Sequence, residues 1–316
     1  MIKKVLLVAA MAGLAMPMAS QAWQSEKDVS VIVAYKAGSG TDKTARVLMM
    51  HVEKAIGKAM VIQNLPGGDG KIGWTKLIKS RADGYTIGFI NLPTFTTLAN
   101  EKNAMFKYDD VLPIANHVTE TGVVVVKADS PYKTLKELVA AAKSNPNLKA
   151  STNGNHASNH LSAQLLAKSA GFKYQAIPYG GTKDQLLALR QGEVDFSCVK
   201  VADVAGLYEG ANPELRVLGV YDTKRAPELP DVPTLGELGY YNQWYGSSRA
   251  IVGPKKMPKE IQQYWVETLK KVMSDPEVIA AHKKAKITIN FMDDKELGAL
   301  IKAQDQFAKD TASIWD

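Results

Sequence analysis

From residue 29 onward, short runs of apolar, often β-branched residues alternate with stretches in which apolar residues recur every three or four positions. The run at 29–34 predicts a strand, and the periodicity of 45–56 predicts a helix that ends at Gly57. The same pattern predicts further strands at 60–63, 85–90, 149–152, 174–177, 194–199 and 215–220. Strands that alternate with helices in this way predict an α/β fold with largely parallel sheets.

A second α/β series is predicted to begin at 123–127, where four consecutive valines favour a strand covered on both faces. The S/T-x-x-E/Q spacing at 134–137 and at 182–185 predicts two helices, each starting with a capping box. From Pro258 onward the chain is predicted to be mostly helical, with this proline in the first turn.

The N-terminal segment 1–22 has the pattern of an export signal. Lys3 and Lys4 form a charged start, 5–18 is an apolar stretch, and a small-x-small cleavage site ends at Ala22. The apolar stretch is shorter than the ~18 residues of a membrane helix. We therefore expect a periplasmic protein that is cleaved near Ala22, and an uncleaved anchor is the alternative.

Length and composition describe an ordinary globular protein. At 316 residues, 46% hydrophobic and 22% charged, the chain is long enough for about two domains. Without Lys3 and Lys4 the formal net charge falls from +7 to +5, which favours anionic small molecules. The lysine pairs of the chain are scattered and lack interleaved aromatic residues, so a nucleic-acid partner is not expected.

Cys198 has no partner for an intramolecular disulfide, and its apolar neighbours predict a buried thiol.

Three loops rich in glycine and small polar residues follow predicted strands, at 37–42, 153–158 and 178–182. In open α/β sheets, ligands bind beyond the carboxyl ends of strands, where glycine lets the backbone approach and the next helix offers free N–H groups to an anion. One such loop is commonly a tight turn. Three of them, spread over both series, predict a ligand-binding cleft between two domains.

Cofactor and catalytic motifs are incomplete. The G-x-G-x-x-G match at 68–73 lacks the acidic residue ~20 positions on that binds a ribose, and Asp42 stands where a phosphate loop needs glycine. His156 and His160 have ligand-like spacing, but H-E-x-x-H is incomplete, so a metal site is the minor alternative. There is no G-x-S-x-G elbow. We therefore expect no cofactor, no metal and no catalysis.

Five segments, taken in order, resemble the Bug family, the periplasmic receptors of tripartite tricarboxylate transporters. They are AYKAGSGTD at 34–42 with Ala45 and Arg46, NLPGGDGKIG at 64–73, DGYT at 83–86, PYGG at 178–181, and LPDVPTL at 229–235 with Glu237 and Gly239. Because all five occur in register, the resemblance covers essentially the whole chain after the export signal.

The resemblance implies a two-domain periplasmic-binding fold, a type II-like clamshell with two crossover segments that closes over an organic anion. Domain 1 would comprise 23–123 and 228–316, and domain 2 would comprise 124–227. In the family, backbone amides, hydroxyls and ordered waters hold a carboxylate between the domains. Carried over, the binding residues are Tyr35, Gly38, Ser39, Gly40, Thr41 and Asp42 from domain 1, and Thr152, Asn153, Gly154, Pro178 and Tyr179 from domain 2.

Two departures from the family pattern bear on the ligand. The chain has YKA at 35–37 where the family usually has Phe-Pro-Pro, and His156 replaces a glycine. Lys36 and Arg249 are similar to basic residues of tricarboxylate-type members, so we expect them to meet a second or third carboxylate. The alternative is that both are solvated. His156 is included among the ligand-binding candidates, although its role and that of Cys198 stay open.

The expected function is that of a monomeric receptor. It would bind a small di- or tricarboxylate, citrate-like in character, without altering it, and deliver it to the membrane subunits of a transporter. Two alternatives stay open: a ligand sensor that signals to a membrane two-component kinase, and a receptor for an aromatic or monocarboxylate ligand. An exported hydrolase is disfavoured by the missing nucleophile elbow.

Overall fold

The structure is a computed structural model that describes residues 23–155 and 157–314; the predicted export signal and His156 lie outside the described residues. The strands among them are β1 (Val29–Val33), β2 (Met60–Asn64), β3 (Thr86–Leu92), β4 (Val111–Lys127), β5 (Lys149–Thr152), β6 (Gln175–Pro178), β7 (Phe196–Lys200), β8 (Leu215–Val220), β9 (Gly246–Pro254) and β10 (Ile289–Met292). The helices are α1 (Gly40–Ile56), α2 (Lys71–Ile78), α3 (Thr94–Ala99), α4 (Leu135–Ser144), α5 (Ser158–Ala170), α6 (Thr182–Gln191), α7 (Val201–Val204), α8 (Lys259–Met273), α9 (Pro276–Lys284) and α10 (Asp294–Asp310).

The strands form two sheets that share β4. The first sheet has the order β2-β1-β3-β9-β4-β10, and the second has the order β8-β4-β7-β5-β6. Pairing is parallel between β1, β2 and β3 and between β5, β6 and β7, whereas β4, β8, β9 and β10 pair antiparallel. The α/β class is confirmed. The prediction of largely parallel sheets holds within each β/α series and is wrong for the antiparallel strands.

Strand β4 extends well beyond its predicted range. We predicted a strand at 123–127, but β4 starts at Val111 and runs from the first sheet into the second. Its first part was missed because Asn116 and His117 interrupt the apolar pattern, although both are buried. Asn116 is tolerated there because its amide donates to the carbonyl of Asn290 at 2.7 Å. Strands β9 and β10 were not predicted either.

The helices with the clearest apolar periodicity were predicted correctly. In α1 the predicted core residues Ala45, Leu48 and Val52 are buried and Ile56 is partly buried, and Gly57 ends the helix at φ 68°, donating to the carbonyl of Glu53. In α8 the apolar face is likewise buried, but Pro258, predicted in the first turn, is instead the N-cap residue just before the helix. The capping box of α4 forms between Thr134 and Glu137 as predicted.

The predicted capping box of α6 is wrong. This helix starts after Gly181 without a side-chain cap, because Gln185 points into the core instead. Its amide nitrogen donates to the carbonyls of Ser151 (2.8 Å) and Cys198 (3.0 Å). Gln185 therefore connects α6 with β5 and β7.

Cys198 is buried, as predicted for a structural thiol. Its sulfur lies 3.5 Å from the hydroxyl of Tyr221. Burial raises the pKa of the Cys198 thiol to about 12. A thiol held in this way is protonated at neutral pH and is a weak nucleophile.

The two chain segments that pass between the sheets lie side by side. The amide of Gly122 donates to the carbonyl of Tyr245, and the amide of Tyr221 donates to the carbonyl of Gly122, both at 2.9 Å. A Cβ on Gly246 would lie 2.0 Å from the carbonyl oxygen of Glu120, so this close approach requires glycine. The domain limits predicted at 123/124 and 227/228 stay predictions.

In the part of the chain that the structure describes, no helix has both the length and the apolar character that a bilayer span requires.

Two buried histidines join β4 to α9. The Nε2 atoms of His117 and His282 lie 2.9 Å apart, and His282 Nδ1 donates to the carbonyl of Val278 at 2.7 Å. A neutral His282 therefore accepts a hydrogen bond from His117. Burial lowers the pKa of His117 well below its usual value, and His282 and Arg249 lower it further. Burial also lowers the pKa of His282, and His51 adds to this effect.

This histidine pair should make the protein less stable in mild acid. Unfolded histidine takes up a proton below about pH 6.5, whereas the buried pair resists protonation, so the free energy of unfolding falls as the pH drops through that value. We expect up to about 1.4 kcal/mol per pH unit for each histidine. Urea unfolding at pH 8, 7, 6 and 5 measures the slope. His117→Gln keeps an N–H donor but does not titrate, and should reduce the slope; an unchanged slope would contradict the prediction.

Candidate ligand-binding site

The first glycine-rich loop, which connects β1 to α1, is held by its own hydrogen bonds. Ser39 caps α1, its hydroxyl accepting from the amide of Asp42 at 3.3 Å. Its own amide donates to the carbonyl of Lys36 at 3.1 Å. The amide of Gly38 donates to Asp42 Oδ2 at 2.8 Å. These contacts fix the loop in one shape.

Both carboxylate oxygens of Asp42 accept hydrogen bonds that hold this loop. The residue is 2% exposed, Arg46 Nε lies 3.0 Å from each oxygen, and Asn64 donates to Oδ1 at 2.9 Å. Burial would raise the pKa of Asp42, but hydrogen bonds from Arg46, Gly38 and Asn64 outweigh it and lower the pKa. Asp42 is therefore ionised and holds the loop in place. That it also contacts a ligand stays a prediction.

The start of α1 presents unused donors. Within the described residues, no group accepts a hydrogen bond from the amides of Gly40 or Thr41. The Thr41 side chain is held by Asn91 at the end of β3, whose amide donates to its hydroxyl at 2.8 Å. A Cβ on Gly40 would lie 3.1 Å from Arg249 Nη2. The guanidinium therefore lies against the positive end of the α1 dipole.

Arg249 is a buried cation of this site. It lies on β9, opposite Asn91 of β3 and Val118 of β4, and is 8% exposed. Its Nη1 atom is 2.6 Å from Glu120 Oε2, and its Nε atom has no hydrogen-bond partner among the residues the structure describes. Lys36, by contrast, is exposed. The expectation that both meet a ligand carboxylate stays a prediction, but Arg249 is not solvated.

Tyr35 borders the same space. Its ring is half-buried and packs edge-on against Trp74, with centroids 6.0 Å apart. Burial raises the pKa of Tyr35, and the carboxylate of Asp69 raises it further, while Arg249 and a hydrogen bond with Thr94 act in the opposite direction. The Tyr35 phenol is therefore a neutral hydrogen-bonding group close to both Asp69 and Arg249.

The second glycine-rich loop connects β5 to α5 and faces the first β/α series. The Thr152 hydroxyl donates to the carbonyl of Gly154 at 3.4 Å, and Asn153 Oδ1 accepts from the amide of Asn159 at 3.3 Å. Gly154 has φ 122°, and a Cβ there would lie 3.5 Å from Asp69 Oδ1. This loop and the turn at Asp69 are therefore in close proximity.

The third loop joins the second through its backbone. Pro178 is exposed and pairs with Thr152 in the register of β6 and β5. The amide of Tyr179 donates to the carbonyl of Thr152 at 2.9 Å. The Tyr179 hydroxyl donates to exposed Glu193 at 3.1 Å. Main-chain contacts place Pro178 and Tyr179 beside the second loop, and their contact with a ligand stays a prediction.

Three charged residues that sequence reasoning missed lie near Arg249: Glu120, Lys200 and Asp203. Lys200 ends β7, is 2% exposed, and donates from Nζ to Asn159 Oδ1 at 2.5 Å. Its amide donates to Asp203 Oδ2 at 3.0 Å. We call Arg249, Glu120, Lys200 and Asp203 the cleft charge cluster.

Burial shifts the pKa values of two members of this cluster, Lys200 and Asp203. It lowers the pKa of Lys200 to about 8, although Asp203 and Glu120 favour the charged ammonium. It raises the pKa of Asp203 to about 6, and Glu120 adds to the rise, while Lys200 and Arg249 oppose it. The four residues thus interact electrostatically across the two sheets.

Only part of this cluster carried a signal in the sequence. Lys200 is the last residue of β7 and so occupies the strand-end position at which ligands bind in α/β sheets. Outside the cluster, Asn91 has a similar position as the last residue but one of β3. Glu120 and Asp203 belong to no motif; Glu120 lies within a long strand and Asp203 in a one-turn helix.

Chemically, the arrangement suits recognition of an anion. It combines a buried guanidinium, free amides at a helix N-terminus and a neutral phenol, all of which can donate hydrogen bonds to a carboxylate. The described residues contain no group of three or more His, Cys, Asp or Glu side chains arranged to hold a metal ion.

Comparison with known proteins identifies the family. The family model described as "Tripartite tricarboxylate transporter family receptor" matches residues 44–315. The chain belongs to this receptor family. The resemblance to the Bug receptors that the sequence motifs indicated is therefore confirmed, and the family is one of periplasmic solute-binding receptors.

Individual relatives agree over most of their length. A UPF0065 protein encoded in the gbd 5′ region of Cupriavidus necator is 31% identical over 265 residues, covering 83% of this chain and 80% of the relative. The structure of the periplasmic binding protein BugD is 27% identical, with a TM-score of 0.80 and coverage of 92% and 98%. MatC from Rhodopseudomonas palustris, solved with bound malate, shares the fold at 22% identity, with a TM-score of 0.81 and coverage of 92% and 99%. The two-domain binding-protein fold is thus confirmed.

Proposed function

We propose that this chain is an exported receptor that captures a small organic acid between its two domains and delivers it unchanged to the membrane subunits of a tripartite transporter. Di- and tricarboxylates are the class expected from the sequence. One observation carries the proposal: buried Arg249 lies against the N-terminus of α1, and the Nε atom of Arg249 and the Gly40 amide have no partner among the described residues.

The energetics of such a site are favourable. A hydrogen bond to a charged group contributes ~1.5–3 kcal/mol, so four or five donors offset the desolvation of one carboxylate. Micromolar affinity needs only about 8 kcal/mol. Malate in the MatC structure is a dicarboxylate, and the shared fold supports the same ligand class here.

Closure would couple capture to delivery. Arg249 and the start of α1 belong to the first sheet and its helices, whereas Asn159 and Lys200 belong to the second. A ligand that contacts both sides favours the closed state by the contacts it makes there. Glu120, which pairs with Arg249, directly precedes the point where β4 passes between the sheets, so an acid at Arg249 would bind next to the hinge.

A thermal-shift screen tests the ligand class. The protein, purified from the periplasm of an expression host, is heated with organic acids, sugars and simple amines at equal concentrations. A tight ligand at 100 times its Kd adds about 2.7 kcal/mol of stability, which should raise the Tm by several degrees. We expect the shifts to be confined to carboxylic acids. Shifts seen with sugars or simple amines but with no acid would contradict the proposal.

Delivery to a transporter is tested in cells. Deletion of the gene should abolish uptake of the radiolabelled acid identified by the screen, and the wild-type chain should restore it. Uptake that continues while acid-dependent gene expression is lost would favour the alternative of a sensor. Light scattering of the purified protein checks the predicted monomer.

A further inference from the structure

The second glycine-rich loop contains an asparagine that is directly followed by a glycine. Asn153 and Gly154 are the only such pair in the sequence of 316 residues. Asparagine is a chemically labile residue, because the backbone nitrogen of the next residue can attack its side-chain amide carbon. A following glycine has no Cβ to hinder that approach. The bond between Asn153 and Gly154 is therefore where this attack meets the least steric hindrance.

The hydrogen bonds of the loop suit this reaction. The backbone amide of Asn159, in the first turn of α5, donates to Asn153 Oδ1 at 3.3 Å. Negative charge develops on this oxygen when the amide carbon is attacked, and a donor at a helix N-terminus stabilises such charge. Among the described residues, no group accepts a hydrogen bond from the Gly154 amide or from Asn153 Nδ2. The attacking nitrogen and the leaving group are thus both free of competing hydrogen bonds within this part of the chain.

We propose that Asn153 is a site of spontaneous deamidation, and that this modification turns off binding by the cleft. The Gly154 nitrogen forms a bond to Asn153 Cγ, the bond from Cγ to Nδ2 breaks, and Nδ2 leaves as ammonia with the proton of the Gly154 amide. Water then opens the resulting succinimide ring at either carbonyl, which gives an aspartate or an isoaspartate in place of Asn153. No group is oxidised or reduced.

Either product places a carboxylate in the loop where the unmodified chain has a neutral amide. The loop already lies close to one acid, since a Cβ on Gly154 would be 3.5 Å from Asp69 Oδ1. A second negative charge there repels an anion in the cleft, and an isoaspartate also lengthens the backbone of the loop by one atom. We therefore expect the modified protein to bind organic acids at least about tenfold more weakly. This consequence rests on the proposed function, whereas the deamidation itself does not.

Peptide mapping by mass spectrometry tests the modification on the wild-type protein. The folded protein is incubated at 37 °C and pH 8 and sampled over time, and isoaspartate is detected by enzymatic methylation of its free carboxylate. Asn103 is the internal control, because it is exposed and precedes a small residue, Ala104. We expect Asn153 to deamidate at least tenfold faster than Asn103. Equal rates at the two positions, or an intact Asn153, would overturn the inference.

Isothermal titration of the same samples with the tightest-binding acid tests the loss of binding. We expect the fraction of protein that binds with the original affinity to fall in step with the fraction modified at Asn153. Asn153→Gln, whose longer side chain cannot form the five-membered ring, should keep its own starting affinity throughout the incubation.

The possible failures of this experiment are distinguishable. Modified protein that binds as tightly as fresh protein would overturn the loss of binding. If no acid binds the fresh protein, the proposed function is overturned, and the peptide map alone decides whether Asn153 is a modification site. Should Asn153→Gln fail to fold, the wild-type samples still decide both points.

Discussion

With methionine in place of Arg249, the chain is expected to bind organic acids at least about a hundredfold more weakly. Methionine retains much of the apolar stem but has no charge and no N–H donor. A guanidinium can give a carboxylate two parallel hydrogen bonds, each contributing ~1.5–3 kcal/mol. Losing both also leaves Glu120 without its 2.6 Å partner, so its carboxylate would repel the ligand. Isothermal titration with the tightest-binding acid measures the loss.

Two further substitutions act as controls for this result. Arg81→Met removes an arginine whose side chain is 89% exposed and should leave the affinity unchanged. Arg249→Lys keeps the charge but not the planar fork, so an intermediate loss is expected. If the loss in Arg249→Met is no larger than in Arg81→Met, Arg249 does not bind the ligand.

Gln185→Leu is expected to lower the free energy of unfolding by about 3 kcal/mol. Leucine fills a similar volume but cannot donate to the carbonyls of Ser151 and Cys198 or accept from Asn159, contacts that Gln185 makes at 2.8–3.0 Å. A buried group left without its hydrogen bond costs about 1–3 kcal/mol. Urea unfolding followed by circular dichroism measures the change.

The control substitution for Gln185→Leu is on the same helix, α6. Gln191 is exposed, so Gln191→Leu should change the stability by less than about 0.5 kcal/mol. Similar small effects of the two substitutions would show that the buried hydrogen bonds of Gln185 are not needed.

Elements whose structure depends on neighbouring residues could be predicted from the sequence. The apolar periodicity of α1, the αL position of Gly57 and the capping box at Thr134 all depend on residues within a few positions of one another. The three loops at strand ends were predictable for the same reason, because glycine and small polar residues between a predicted strand and a predicted helix favour a turn.

Elements whose structure depends on residues far apart in the chain could not be predicted from the sequence. The first part of β4 contains buried polar residues whose partners lie far along the chain, as Asn116 shows with Asn290. Gln185 has the spacing of a capping residue, yet its buried partners come from two other strands. The cleft charge cluster likewise forms from β4, β7, α7 and β9, and the pairing of Glu120 with Arg249 is visible only once these elements are packed together.

A crystal structure of the protein with its tightest-binding acid tests most directly whether a carboxylate binds between the two domains. We predict a carboxylate oxygen within about 3 Å of Arg249 Nε and of the Gly40 amide, with other atoms of the acid in contact with the second loop. An acid bound away from Arg249, or a cleft closed by side chains with the acid at the surface, would contradict this prediction.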